Sequence, residues 1–197
     1  MSGRLVAFEG LDQSGKQTQA ELLRDALEAA GRSCELLSFP DYDTAIGAEI
    51  HRALHGERDY APDVMQLLYV ANRYETRARI ASSLAAGRVI LCDRYMASSI
   101  AYGAAQGLDA AWLAEIQRYL PPADLTILLD IPPDVAARRK TSGRDRYERD
   151  LGLLTRVRDS YRSQAQAPGW ALISGDRSKD EVAAEVRRTV ASRLQLP

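Results

Sequence analysis

Phe8-Glu9-Gly10-Leu11-Asp12-Gln13-Ser14-Gly15-Lys16-Gln17-Thr18-Gln19 is the stretch that decides the fold. The apolar run Leu5 to Glu9 before it has the pattern of a buried strand. After it, Ala20, Leu23, Leu27 and Ala30 recur on one helical face, and Gly31 supplies a stop. Glycines in such a strand-to-helix turn let the backbone wrap closely around an anion. Successive N–H groups and the helix N-terminus then face it. The segment is a P-loop, and Gly10, Leu11, Asp12, Gln13, Ser14, Gly15, Lys16, Gln17 and Thr18 are its expected contacts with a nucleoside triphosphate such as ATP. Lys16 is expected to reach the β- and γ-phosphates. One position departs from the pattern. A Ser or Thr that would ligate magnesium directly after the lysine is replaced by Gln17, with Thr18 next. Either Gln17 offers Mg²⁺ a carbonyl oxygen, or the metal is held by water and carboxylates instead.

Working outward, the strand–helix alternation continues. Cys34 to Phe39 reads as a strand closed by Pro40, and Ile46, Ile50 and Leu54 as a short helix. Pro62 opens a long helix to about Ala86, ended by Gly87. Arg88 to Asp93 and Leu125 to Asp130 are apolar strands, with helices expected over Met96 to Ala105 and Asp109 to Tyr119 between them. A helix starts at Pro132-Pro133 and runs to about Arg139, another spans Gly152 to Gln166, and Trp170 to Ser174 is the last strand. Ser178 and Glu181 form a capping box before a helix on which Val182, Val186 and Val190 align. Strands that are apolar throughout imply a parallel sheet buried on both faces. The expected fold is therefore a doubly wound, three-layer α/β/α domain with a five-stranded parallel sheet, spanning 1–197 as a single domain.

Composition narrows the function classes. The chain has 197 residues, 46% of them hydrophobic and 27% charged, which is ordinary for a soluble globular protein. No apolar run is long enough for a membrane span, and the N-terminus lacks a signal-peptide pattern. A net charge of −1 leaves no nucleic-acid footprint. Cys34 and Cys92 lie in apolar runs and are expected as reduced, buried thiols, so the expected location is cytoplasmic. Charge is uneven in one place: six basic residues stand against two acidic ones between Arg138 and Arg149.

A second set of residues suggests a second substrate. Asp93 ends an apolar strand, where open parallel sheets bind ligands. Its carboxylate is placed to orient water on Mg²⁺ or to cap the next helix. Arg94 follows into the same cleft. Tyr69 and Arg73 share a helix face, as do Ser98 and Tyr102. A flat ring, a guanidinium, a hydroxyl and a second tyrosine suit a nucleotide with a stacked base. Taken singly, Tyr69 as core and Arg73 in a surface ion pair remain open. The NKxD element of a switch GTPase is absent from the sequence.

These stretches together resemble the thymidylate kinase family. FEGLDQSGKQTQ, FPDYDTAIG, QLLYVANRYE, CDRYMASSIAYGAAQG, PADLTILLDIPPDVAARR and GRDRYE occur in family order from Leu5 to about Val190. The resemblance implies transfer of a phosphoryl group from ATP to dTMP, with Mg²⁺, by a homodimer. It implies that Lys16 binds the donor phosphates, and that Asp12 holds the acceptor phosphate region or the metal. Asp93 would organise Mg²⁺, and Arg94 would bridge acceptor and donor phosphates. Phe39 and Pro40 would flank the thymine, Tyr69 stack on it, Arg73 bind a base carbonyl and Ser98 lie near the base edge. Tyr102 would crowd the sugar 2′ position, and Tyr42 would sit near sugar and phosphate. Residues about 39–75 form the acceptor region on this reading, and about 138–150 a lid. Members of the family carry a catalytic arginine either in the P-loop after the aspartate or in the lid. Gln13 occupies the first position here, which turns attention to Arg139 and Arg144, with Arg146 and Arg149 behind them. Tyr147 and Glu148 match an element that faces the acceptor. Another nucleotide or deoxynucleoside kinase on the same scaffold is the nearest alternative, and deoxynucleoside kinases carry Glu-Arg-Ser where this chain has Asp93-Arg94-Tyr95. A nucleotide-binding module without turnover is the other alternative, and Gln17 is the residue that points to it.

Overall fold

The computed structural model describes residues 3–140, 147 and 150–196. Arg144, Arg146, Glu148 and Arg149 lie outside the described residues.

The chain begins with β1 (Arg4–Glu9), α1 (Lys16–Ala29), β2 (Cys34–Ser38), α2 (Ala45–Leu54) and α3 (Pro62–Ala85). It continues with β3 (Val89–Asp93), α4 (Met96–Ala105), α5 (Ala110–Glu115), β4 (Leu125–Asp130) and α6 (Pro133–Arg139). α7 (Leu151–Gln164), β5 (Trp170–Ser174) and α8 (Lys179–Leu194) complete it. The five strands are parallel in the order β2-β3-β1-β4-β5. Side chains alternate across each strand. Val6 and Phe8 therefore enter one core with Leu23 and Leu27 of α1 and Val182, Val186 and Val190 of α8. Leu5 and Ala7 enter the opposite core with Ile80 of α3 and Tyr95. Both faces of the central strands β1, β3 and β4 are covered, as their apolar runs require, while the edge strands β2 and β5 leave Ser38 and Leu172 exposed.

Several expectations change in detail. Ala30 is exposed as the C-cap of α1, not part of its buried face, because Gly31 at φ 80° turns the chain out there. α5 is shorter than Asp109 to Tyr119. After Glu115 the backbone tightens into three-residue turns, Arg118 N–H to Glu115 O and Leu120 N–H to Gln117 O, ahead of Pro121 and Pro122. α7 starts one residue early because Asp150 caps it, its side chain accepting from Leu153 N–H at 2.9 Å. Cys92 is buried, but Cys34, on edge strand β2, is half-exposed. The capping box of Ser178 and Glu181 forms as read.

The topology positions what matters chemically. β1 is central, and the connection from it leads to the far edge strand β2 before returning through β3. The crevice beyond the carboxyl ends of β1, β3 and β2 is the ligand site of such a sheet. Arg94 N–H bonds Phe8 O, and Phe39 N–H bonds Asp93 O, each at 2.9 Å. These bonds bring Glu9-Gly10, Asp93-Arg94 and Phe39-Pro40 to one edge.

Candidate active site

The P-loop is a closed ring of backbone. Ser14 N–H returns to Leu11 O, and Lys16 Nζ donates to Leu11 O at 2.9 Å. Gly10 is fixed by its surroundings: at φ 137° a Cβ there would stand 2.5 Å from Leu129 O. Gly15, at φ 95°, is the N-cap of α1, so the first N–H groups of the helix face the ring. Lys16 is buried, and burial, reinforced by Arg94, lowers its pKa while Asp93, Asp12 and Glu9 oppose that shift. Gln17 and Thr18 both point to the exposed side, where Gln17 Nε2 donates to Glu21 Oε1 at 3.0 Å.

Arg94 joins this loop to a second compartment. Its Nη2 donates to Asp12 Oδ1 at 2.7 Å, and its Nη1 to Gly10 O at 3.1 Å and Ser98 Oγ at 3.2 Å. Burial works against the Asp12 carboxylate, but the charge of Arg94, then that of Lys16, more than reverses it, and Asp12 titrates well below the usual carboxylate range. Arg94 sits at φ 64°, a left-handed conformation for a non-glycine residue, held by its bond to Phe8. Such strain costs on the order of 1–3 kcal/mol and marks functional positions.

The second compartment is a half-open cavity of about 90 Å³. It is lined by Asp12, Phe39, Pro40, Tyr42 and Tyr69, by Arg73, Arg94, Ser98 and Tyr102, and by Tyr147. All the residues expected at the acceptor nucleotide thus share one wall or another of it. Tyr102 donates to Asp12 Oδ2 at 3.2 Å and packs edge-on against Tyr147, centroids 5.8 Å apart. Tyr42 is an exposed lip, edge-on to His51 at 5.4 Å. Arg73 is buried, not a surface ion pair: its Nη1 donates to Ser99 Oγ at 2.8 Å and to Gln117 Oε1 at 3.3 Å. Tyr69 is half-buried against the α2–α3–α4 core. The peptide before Pro40 is cis.

Three features escaped the sequence reading. Glu9 is fully buried and accepts from Ser98 Oγ at 2.6 Å, Tyr95 N–H at 2.8 Å and Tyr161 Oη at 3.0 Å. Ser98, expected at the base edge, is the link between Glu9 and Arg94; its neighbour Ser99 is the hydroxyl beside Arg73. Asn72, fully buried, clamps the 41–44 loop through Asp41 N–H, Asp41 O and Thr44 Oγ1. The same loop meets α2 at Gly47, where a Cβ would lie 1.7 Å from Asp41 O. A glutamate just before the P-loop glycine, and an asparagine inside a buried helix turn, were the available signals.

Arg139 reaches the outer rim of the P-loop, its Nη1 donating to Gln13 O at 3.0 Å and its Nη2 to Gly175 O at 2.9 Å. Asp93 Oδ1 is buried with no hydrogen-bond partner among the described residues. That orphaned carboxylate oxygen, close enough to Lys16 to affect its titration, fits a role in holding a water of Mg²⁺. Among the described residues no group of three His, Cys, Asp or Glu side chains is placed to hold a metal ion.

A backbone ring at the head of a parallel sheet, joined through one arginine to a pocket lined by aromatic side chains, is the arrangement of a P-loop phosphotransferase with a nucleotide acceptor. The family profile described as Thymidylate kinase matches residues 8–186, and the chain belongs to that family. It is 44% identical over 147 residues to a thymidylate kinase of Schizosaccharomyces pombe, covering 75% of this chain and 70% of that one. It is 33% identical over 193 residues to a thymidylate kinase of Arabidopsis thaliana, covering 98% and 73%. A solved thymidylate kinase structure from Candida albicans superposes with a TM-score of 0.85 at 28% identity, covering 100% of this chain and 94% of that one. Among the described residues no helix is long and apolar enough to cross a membrane.

Proposed function

We propose that this enzyme transfers the γ-phosphoryl group of ATP to dTMP, giving ADP and dTDP. The observation that carries the reading is Arg94, whose guanidinium touches Asp12 and Gly10 of the P-loop on one side and Ser98 and Tyr102 of the acceptor cavity on the other. A cation at that junction contacts both the departing and the receiving phosphate.

Phosphoryl transfer is mostly positioning and charge stabilisation. The P-loop N–H groups and Lys16 hold the β- and γ-phosphates of ATP, and Arg94 aligns the acceptor phosphate and balances charge in the transition state. Mg²⁺, when bound, neutralises phosphate charge, with Asp93 as its water-mediated anchor and Asp12 as a neighbouring carboxylate. The exposed Gln17 is directed away from that role by its bond to Glu21. Phe39, Pro40 and Tyr69 sandwich the base, Arg73 faces a base carbonyl, Ser98 steadies Arg94, and Tyr102 and Tyr42 bound the sugar, with Tyr147 over Tyr102. Asp12, held ionised by Arg94, is a weak base. An acceptor that is already anionic needs no base, which favours a monophosphate over a neutral nucleoside.

Arg139 is placed to supply further charge at the P-loop rim, with Arg144 as the second basic candidate of the 138–150 lid segment. Residues about 39–75 make the acceptor region of a single kinase domain. A cytoplasmic homodimer completes the reading; light scattering tests the dimer. The activity is tested by a coupled assay with ATP and, in turn, dTMP, dUMP, UMP, dCMP and thymidine. Highest kcat/KM is expected with dTMP. Turnover of thymidine but not dTMP would replace this reading by a nucleoside kinase, and no turnover by a binding module.

A further inference from the structure

Gln66 lies on α3 one turn before Tyr69 and lines the acceptor cavity. It is fully buried, yet neither its Oε1 nor its Nε2 has a partner among the described residues. Its stem is wedged against α4, where a Cβ on Gly103 would come within 3.3 Å of Gln66 Cγ. Two turns further along α3, Arg73 lines the same cavity with its Nε–H also buried and unpaired among the described residues. Native interiors pair the great majority of buried polar groups, and an unpaired one opposes folding. Gln66 and Arg73 line one cavity and hold three such atoms between them, and a ligand entering that cavity would satisfy them.

Their chemistry specifies it. Gln66 offers one N–H donor and one carbonyl acceptor, whichever way the amide is turned. Arg73 adds a second donor. A keto pyrimidine presents the complement: two carbonyl acceptors on either side of the N3–H donor. An amino pyrimidine presents an exocyclic NH₂ donor and a bare N3 acceptor instead, which the Gln66 amide matches when turned over, so the amide by itself does not separate the two bases. We infer that Gln66 is a further base-binding residue of the acceptor site, pairing with the N3–H and one adjacent carbonyl of the acceptor base while Arg73 takes the other. The inference rests on the pocket being the pyrimidine acceptor site.

The test is Gln66→Met, which keeps length and removes both polar atoms. KM for dTMP and for dUMP is expected to rise together by about tenfold, one hydrogen bond's worth, with kcat within about twofold. The melting temperature of the ligand-free protein is expected not to fall, since an unpaired amide is lost. An unchanged KM would mean that Gln66 holds only water, and overturns the inference. A second measurement needs no variant: dTMP methylated at N3 is expected to lose at least about tenfold in kcat/KM with the wild-type enzyme. Equal use of the two acceptors overturns the inference, as does a methyl penalty that persists undiminished in Gln66→Met. A wild-type protein that neither binds nor phosphorylates any keto pyrimidine monophosphate overturns the function proposed above as well. Activity on dTMP with Gln66→Met unaffected overturns the role of Gln66 alone.

Discussion

The two halves of the proposed site, donor and acceptor, are built on opposite plans. The donor half is one contiguous segment, Gly10 to Thr18, and its working groups are backbone N–H donors with a single buried lysine. The acceptor half draws side chains from β2's end, α2, α3, α4 and the residue at 147, and each is placed by packing. Backbone cradles accept any triphosphate tail, because every nucleotide presents the same oxygens. Side-chain pockets discriminate, because each wall is a separate choice of residue. Asp12 and Arg94 are where the plans meet.

That contrast can be broken or sharpened by substitution. Lys16→Ala is expected to lower kcat by about 10²–10³-fold, the cost of losing one preorganised charge-stabilising donor; steady-state kinetics with near-normal kcat would remove Lys16 from the donor half. Arg94→Ala should lower kcat by about 10²-fold, and a rise confined to the KM for dTMP would assign Arg94 to the acceptor half alone. Glu9→Gln puts a donor where Tyr95 N–H and the Ser98 hydroxyl now donate. A fall of about tenfold in kcat is expected, with KM for ATP unchanged and partial recovery in Glu9→Asp; loss of stability without a change in kcat would make Glu9 structural. Tyr102→Ala should raise kcat/KM for UMP relative to dUMP by up to about tenfold, and an unchanged ratio would free the 2′ position from Tyr102.

The smallest effect concerns pH. Asp12 has a folded pKa depressed below its ordinary value of about 3.9. Its pairing with Arg94 therefore contributes stability fully present above that ordinary value, and lost as pH falls through the lower folded one. Melting curves of Asp12→Asn should run below wild type at neutral pH and converge with it in strong acid. A gap that stayed constant with pH would detach Asp12 from Arg94.

The donor half was legible in the sequence because strand, glycine turn, lysine and helix are consecutive, and local chain geometry is what short sequence patterns encode. The strands Leu125 to Asp130 and Trp170 to Ser174 came out to the residue for the same reason: continuous apolar runs between turn signals. α5 did not, since a helix that tightens into turns keeps the same apolar spacing for several residues. The acceptor half was legible by resemblance more than by residue chemistry. Nothing in the spacing of Glu9, Ser98 and Tyr161 announces that the three meet, because they are brought together by sheet order and the docking of α7 on α4. Gln66 was passed over because a lone glutamine in a helix resembles a surface residue until its burial is seen.

The close fit at Gly47 has a consequence for how this protein tolerates change. The loop carrying Pro40, Asp41 and Tyr42 rests against bare backbone there, with room for a hydrogen and not for a methyl group. The spacing between α2 and that loop is thus a gauge set by the smallest residue, and the wall of the cavity that Pro40 and Tyr42 line inherits its tolerance. Random variation will find this helix permissive along its outward face, at Arg52 for instance, and closed to any enlargement at this single position. A catalogue of viable sequences would show the glycine as a fixed point far from any reacting atom.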